Sequence, residues 1–246
     1  MSLSKRFRPY LRRIRSAPGS LYIRLAGPRF TNSSCPDSEL QRILAGSAER
    51  SDISDHLGDI YFHALDSPSE LIVELGTRGG ESTRALLGAA NATDRQVLSV
   101  DVDPCGTVDL PHTERWHFVQ ADDVQFGREN FSDWCETANL PPRIGTLFID
   151  TSHLYEHTRE EINAWFPHLV DGALVLFHDT NMGDGRYARM DGSIGCGWDN
   201  ERGVIRAIEE RLGRQYDEST RFVDLTEEFL VRHTPYCNGL TVLRKL

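Results

Sequence analysis

From residue 70 onward the chain alternates short apolar runs with stretches whose apolar residues recur every three or four positions. The runs "ELIVEL" (70–75), "QVLSVD" (96–101), "WHFVQA" (116–121), "IGTLFID" (144–150) and "ALVLFHD" (173–179) are short and nearly continuous, as strands covered on both faces are. Between them "GESTRALLGAA" (80–90), "FGRENFSDWCETA" (126–138), "TREEINAWFPHL" (158–169) and "ERGVIRAIEERLG" (201–213) read as helices, the last with Val204, Ile208 and Leu212 inward. Residues 51–65 predict a further helix with Ile53, Leu57, Ile60 and Ala64 on one face, and "EEFLVRHTPYCNGLTVLRKL" predicts two strands around a Pro/Asn/Gly turn.

Buried strands alternating with amphipathic helices predict an α/β fold, a parallel sheet with helices on both faces. Such sheets bind ligands at the carboxyl ends of their strands. The residues at those ends are Glu74, Asp101, Asp122, Asp150 and Asp179, all acidic. Five carboxylates gathered at one sheet edge call for a functional account, because like charges brought together repel.

Charge and composition narrow the partners. Residues 1–36 hold eight Lys or Arg and no acid, so a net charge of −10 leaves −18 on the rest. So acidic a body excludes nucleic acid as the expected partner. The basic arm, residues 1–50, is expected to serve as a lid or a subunit contact in a homo-oligomer, ahead of one catalytic domain at 51–246. No run of eighteen apolar residues occurs and no apolar segment follows Lys5, Arg6 and Arg8, so neither a membrane span nor a secretory signal is expected. Five cysteines without a CxxC pair indicate neither a zinc site nor a disulfide framework, and a cytoplasmic setting is expected. Only Lys5 and Lys245 are lysine among 27 basic residues, a bias of GC-rich genomes that fits actinobacteria.

The first strand ends in Glu74-Leu75-Gly76-Thr77-Arg78-Gly79-Gly80, which fits E-x-G-x-x-x-G and not the dinucleotide fingerprint G-x-G-x-x-G. Its glycines allow a sharp turn and close approach to a ligand. A carboxylate at that turn suits a ligand with positive charge, such as the sulfonium and ammonium of S-adenosylmethionine. Asp101 ends the next strand, where a carboxylate accepts from ribose hydroxyls in dinucleotide folds, and Asp122 in "QADD" stands where an adenine edge would come. In this order the residues resemble the class I S-adenosylmethionine-dependent methyltransferases over residues 70–246. The resemblance implies a Rossmann-like seven-stranded sheet with an antiparallel last strand, preceded here by an N-terminal helical extension. It implies cofactor contacts at Glu74, Gly76, Thr77, Arg78, Gly80 and Ser82, then Asp101, then Asp122 and Asp123.

The stretch 148–180 resembles more narrowly the branch holding macrocin and mycinamicin sugar O-methyltransferases and the cephalosporin hydroxylase-like proteins. There a strand-ending Asp, a His three residues on and an acidic pair after the next strand hold Mg²⁺ and a general base. That implies His153 as base and Asp150, His178 and Asp179 as metal-binding residues. His178 departs from the family's usual Glu, and imidazole suits softer ions than Mg²⁺ does. The glycine-rich stretch 180–198 reads as an acceptor lid, with Tyr155, Tyr187 and Trp198 as candidate sugar contacts. His63, His157 and His168 read as structural. The expected activity is methylation of a hydroxyl on a small rhamnose- or mannose-type saccharide or glycoside. The alternatives are a metal-independent or catechol-type O-methyltransferase and a catalytically silent partner subunit.

Overall fold

The computed structural model describes residues 38–46, 50–183 and 185–246. Helices α1 (Ser38–Gly46) and α2 (Leu57–Leu65) precede the sheet. Strands and helices then alternate as β1 (Leu71–Leu75), α3 (Glu81–Thr93), β2 (Gln96–Asp101), β3 (Trp116–Gln120), α4 (Asp123–Glu129), α5 (Phe131–Thr137), β4 (Ile144–Ile149), α6 (Tyr155–Trp165) and β5 (Leu169–His178). After β5 come a small hairpin, β6 (Arg186–Ala188) and β7 (Ile194–Cys196), helix α7 (Gly203–Leu212), and strands β8 (Phe222–Leu225), β9 (Phe229–Thr234) and β10 (Leu240–Lys245). Residues 1–37, most of the basic arm, lie outside the described residues.

One sheet of order β3-β2-β1-β4-β5-β10-β9-β8 organises the domain. The first five strands are parallel; β10 runs antiparallel to β5, and β9 to β10. The expected antiparallel last strand is therefore present, and one strand more than the expected seven. The addition, β8, is "FVDL", in which half-buried Phe222 and Asp224 alternate with exposed Val223 and Leu225 on the sheet's edge, with no continuous apolar run to reveal it.

The strand pattern divides the core. Leu71, Val73, Leu75, Leu147, Val175 and Phe177 face α4–α7, whereas Ile72, Phe148, Leu174 and Leu176 face α1–α3. Helix α1 docks by burying Ile43 over Gly88 of α3, where an added Cβ would lie 3.2 Å from Ile43 Cδ1. Several boundaries moved. Only 57–65 of the 51–65 segment is helical, 126–138 divides at Asn130 into α4 and α5, and the lid stretch contains the β6–β7 hairpin.

Candidate active site

The turn after β1 is shaped by what packs on it. Gly76 sits at φ +86°, and a Cβ there would stand 2.1 Å from the carbonyl oxygen of Asp150. Only glycine lets the β1 turn lie against the end of β4, where the Asp150 N–H also donates to the Leu75 carbonyl at 2.9 Å. Gly80, at φ +76°, opens α3 and leaves room for Leu110.

Asp101 stands at the end of β2 facing that turn. Its Oδ2 accepts from the amides of Thr77 at 2.7 Å and Arg78 at 3.1 Å, and its Oδ1 from that of Asp103 at 2.9 Å. Burial alone would raise its pKa, but the three amides outweigh burial and hold the carboxyl below its usual range. Arg78 reaches back to Asp52 in a forked ion pair at 3.1–3.3 Å. A cavity of about 400 Å³ opens here, lined by Gly76, Arg78, Asp101, Asp122, Asp150 and His157 among others. That volume is in the range of small-molecule sites.

Four expected cofactor contacts have partners within the protein. Glu74 is fully buried beneath the turn; its carboxylate accepts from Ser82 (2.7 Å), Thr83 (2.8 and 3.1 Å) and Ser99 (2.6 Å). Burial pushes its pKa up to about 7 against the pull of those hydroxyls. Glu74 thus braces β1 against α3 and β2, and Ser82 spends its hydroxyl on that brace. Asp122 caps α4 by accepting from the Gln125 amide at 2.8 Å, and the buried Asp123 turns to His157 at 3.1 Å.

The reaction end lies one strand over. β4 and β5 are parallel neighbours with Ile149 beside Phe177, so Asp150, His178 and Asp179 leave the sheet together. His178 Nδ1 lies 3.1 Å from Asp150 Oδ1 and 3.3 Å from Asp179 Oδ1, the latter too far off line for a hydrogen bond. His178 Nε2 donates to the Cys237 carbonyl at 3.1 Å. Burial works to lower the His178 pKa, but Asp179 and Asp150 override it and raise it well above the usual value. His153, in the left-handed region at φ +58°, brings Nδ1 to 2.8 Å from Asp179 Oδ2 and 3.9 Å from Asp150 Oδ1. Burial would raise the Asp179 pKa, yet His178 and His153 hold it far below the carboxylate range.

The three aromatic candidates part company. Trp198 is half exposed, with its ring edge-on to His153 at 5.8 Å between centroids. Tyr187 is buried inside the β6–β7 hairpin, where it fills the space a Gly195 side chain would need and accepts from Arg189 at 2.9 Å. Tyr155 lies under Arg206 at 4.5 Å and hydrogen-bonds Glu210 of α7. His157, read as structural, joins Asp123 and Glu161 in a buried cluster; its spacing of four from Glu161 on one helix was the available signal. The Cys237 carbonyl could not be read from sequence, since any residue type supplies one.

A family model described as "Methyltransferase domain" matches residues 73–180. No curated protein matches the chain by sequence. Among solved structures, an O-methyltransferase from Bacillus cereus in complex with SAH is 13% identical, covering 93% of this chain and 97% of that one at a TM-score of 0.51. The SAH-bound methyltransferase PaMTH1 of Podospora anserina is 12% identical over 100% and 98% of the two chains, at 0.52. The MycE methyltransferase of the mycinamycin biosynthetic pathway, solved with Mg, SAH and mycinamycin VI, is 16% identical over 85% of this chain and 54% of that one, at 0.52. Residues 73–180 thus match a methyltransferase domain, and the fold is one shared with solved methyltransferases.

Proposed function

We propose that the protein is an O-methyltransferase that moves the methyl group of S-adenosylmethionine to a hydroxyl of a small saccharide or glycoside, aided by a divalent cation, Mg²⁺ or a softer ion. The observation that carries this reading is the Asp150–His153–His178–Asp179 cluster, joined to the cofactor turn by the Gly76–Asp150 packing.

The residues fit a cation. Asp179 Oδ1 is buried without a hydrogen-bond partner, and the Cys237 carbonyl fixes the His178 tautomer so that Nδ1 faces both carboxylates. Asp150, His178 and Asp179 would hold the ion, which supplies Lewis-acid stabilisation of a forming alkoxide. The chain supplies the rest. His153 pairs Nδ1 with Asp179 Oδ2 at 2.8 Å, and with its proton held on that side Nε2 is left as the acceptor for the substrate proton. Trp198 offers an apolar face beside that base, and the turn at Gly76 with Asp101 orients the cofactor's methyl for in-line transfer.

A metal-independent reading has one observation in its favour. With no ion bound, His178 Nδ1 faces two carboxylates and its protonated ring is itself the cation between them. Methyl transfer from S-adenosylmethionine across a panel of mono- and disaccharides, with and without exhaustive chelation, separates the two. Turnover that stops on chelation and returns with Mg²⁺ or Mn²⁺ supports the first reading. Undiminished turnover sinks it. The absence of any saccharide acceptor removes the sugar assignment.

A further inference from the structure

We infer that Asp123, His157 and Glu161 form a second cation site, suited to a divalent transition ion such as Zn²⁺ or Co²⁺, in the wall of the cofactor cleft. Asp123 opens α4 just past β3, and His157 and Glu161 stand one turn apart on α6 opposite it. The Asp123 side chain is 7% exposed and that of Glu161 0%, while His157 remains 28% open to the cleft, which gives an ion its way in.

The geometry is that of a ligand set. His157 Nε2 lies 3.1 Å from Asp123 Oδ1 and 3.6 Å from Glu161 Oε1. Nitrogen and oxygen donors around one tetrahedral zinc stand roughly 3.4 Å apart. The remaining oxygens, Asp123 Oδ2 and Glu161 Oε2, are both buried without a hydrogen-bond partner. Buried acceptors left so are costly, and a bound ion satisfies them. The Thr151 hydroxyl donates to Glu161 Oε1 at 2.6 Å and fixes that carboxylate, as outer partners of metal ligands do.

Charge closes the argument. Two carboxylates and one imidazole cannot all be buried in their ordinary ionised and neutral forms without a compensating cation. Without an ion, protons fill that need. An ion-free cluster that holds two protons beyond its ionised carboxylates and neutral ring is neutral. So is an ion-bound cluster of Asp⁻, His, Glu⁻ and M²⁺. Binding therefore exchanges M²⁺ for protons, because metal ligands must be deprotonated. The ion ties α4, α6 and the strand end carrying Asp150 together, and stiffens the cleft wall. This inference does not depend on the acceptor or on methyl transfer.

The full-length chain carrying Asp150→Asn and Asp179→Asn silences the reaction-end cluster and isolates this one. Zn²⁺ calorimetry in buffers of differing ionisation enthalpy, with the visible spectrum of the Co²⁺ form, is expected to show one ion per chain and proton release on binding. Adding Glu161→Gln or His157→Gln should abolish uptake, and Thr151→Val should weaken it about 10–100-fold. Thermal melts of the ion-free variants establish folding; if Glu161→Gln is unfolded, His157→Gln decides alone. No ion uptake even in alkaline buffer would overturn the inference, leaving a carboxyl pair closed by a shared proton. So would uptake that survives both substitutions.

Discussion

His178 Nε2 donates to the Cys237 carbonyl at 3.1 Å, and this one hydrogen bond sets what the reaction end can be. A carbonyl is only an acceptor, so Nε2 carries a proton in every state of the ring. Nδ1 then has two roles open to it: ligand to an ion, or donor to Asp150 with Asp179 alongside. A glutamate at 178 could play the first role and not the second, and it would put carboxylate oxygen against carbonyl oxygen. His178→Glu is therefore expected to lower thermal stability in metal-free buffer, by about 1–3 kcal/mol for the unpaired buried carbonyl alone. Excess Mg²⁺ should recover part of the loss. Melting curves of both proteins with chelator and with Mg²⁺ check this; equal stability in chelator would show that the Cys237 contact does not matter.

Asp101→Ala is expected to weaken S-adenosylhomocysteine binding by about 1.5–3 kcal/mol, the range for hydrogen bonds to a charged group. The carboxylate holds the Thr77, Arg78 and Asp103 amides, so its loss also frees the turn that cradles the cofactor. Calorimetry on a variant with native circular dichroism measures the effect. Unchanged affinity would take Asp101 out of the cofactor site.

The parallel half of the sheet and its acidic edge were legible because strands buried on both faces are continuous apolar runs, and each run here has an acid at or within one residue of its end. What sequence could not show was direction. Glu74 stands at the lip of the turn in sequence, but the residue alternation of β1 points it inward among Ser82, Thr83 and Ser99, whose hydroxyls satisfy it. Tyr187 looked like a lid aromatic, yet Gly195 across the hairpin leaves a slot that its ring fills. The Asp123–His157 pairing joins residues 34 apart, and depends on how α4 and α6 meet rather than on any local pattern.

The inward turn of Glu74 gives stability a pH dependence. Its folded pKa of about 7 stands above the ordinary 4.5, so over that window the folded chain keeps a proton the unfolded chain has released. Stability must then fall as pH rises from about 4.5 to 7, by at most about 3 kcal/mol at roughly 1.4 kcal/mol per pH unit. Glu74→Gln removes the titration while its amide oxygen still accepts from the hydroxyls, so its profile should be flatter through this range. Urea unfolding of both proteins across the window tests it; parallel profiles would assign the slope to other groups.

The last prediction concerns His153. Its Nδ1 lies 2.8 Å from Asp179 Oδ2 and its side chain is only 15% exposed, with Trp198 against one edge. In the proposed mechanism that pairing leaves Nε2, not Nδ1, for the acceptor, with Asp179 holding the base and facing the ion. His153→Ala is expected to lower kcat by about 10²–10⁴, the usual contribution of a positioned acid–base group. Affinity for S-adenosylhomocysteine should stay within error, because the ring's short contact is to Asp179, outside the lining of that cavity, and the nearest lining side chain, Asp150, stands 3.9 Å away. Asp179→Asn should cost at least as much, since an amide can turn its NH₂ toward the ring and hold the wrong tautomer. Single-turnover rates at saturating cofactor, beside calorimetric affinities, separate chemistry from binding. A His153→Ala variant that keeps wild-type turnover would move the base elsewhere, and His178, buried between its acids with both nitrogens engaged, could not replace it.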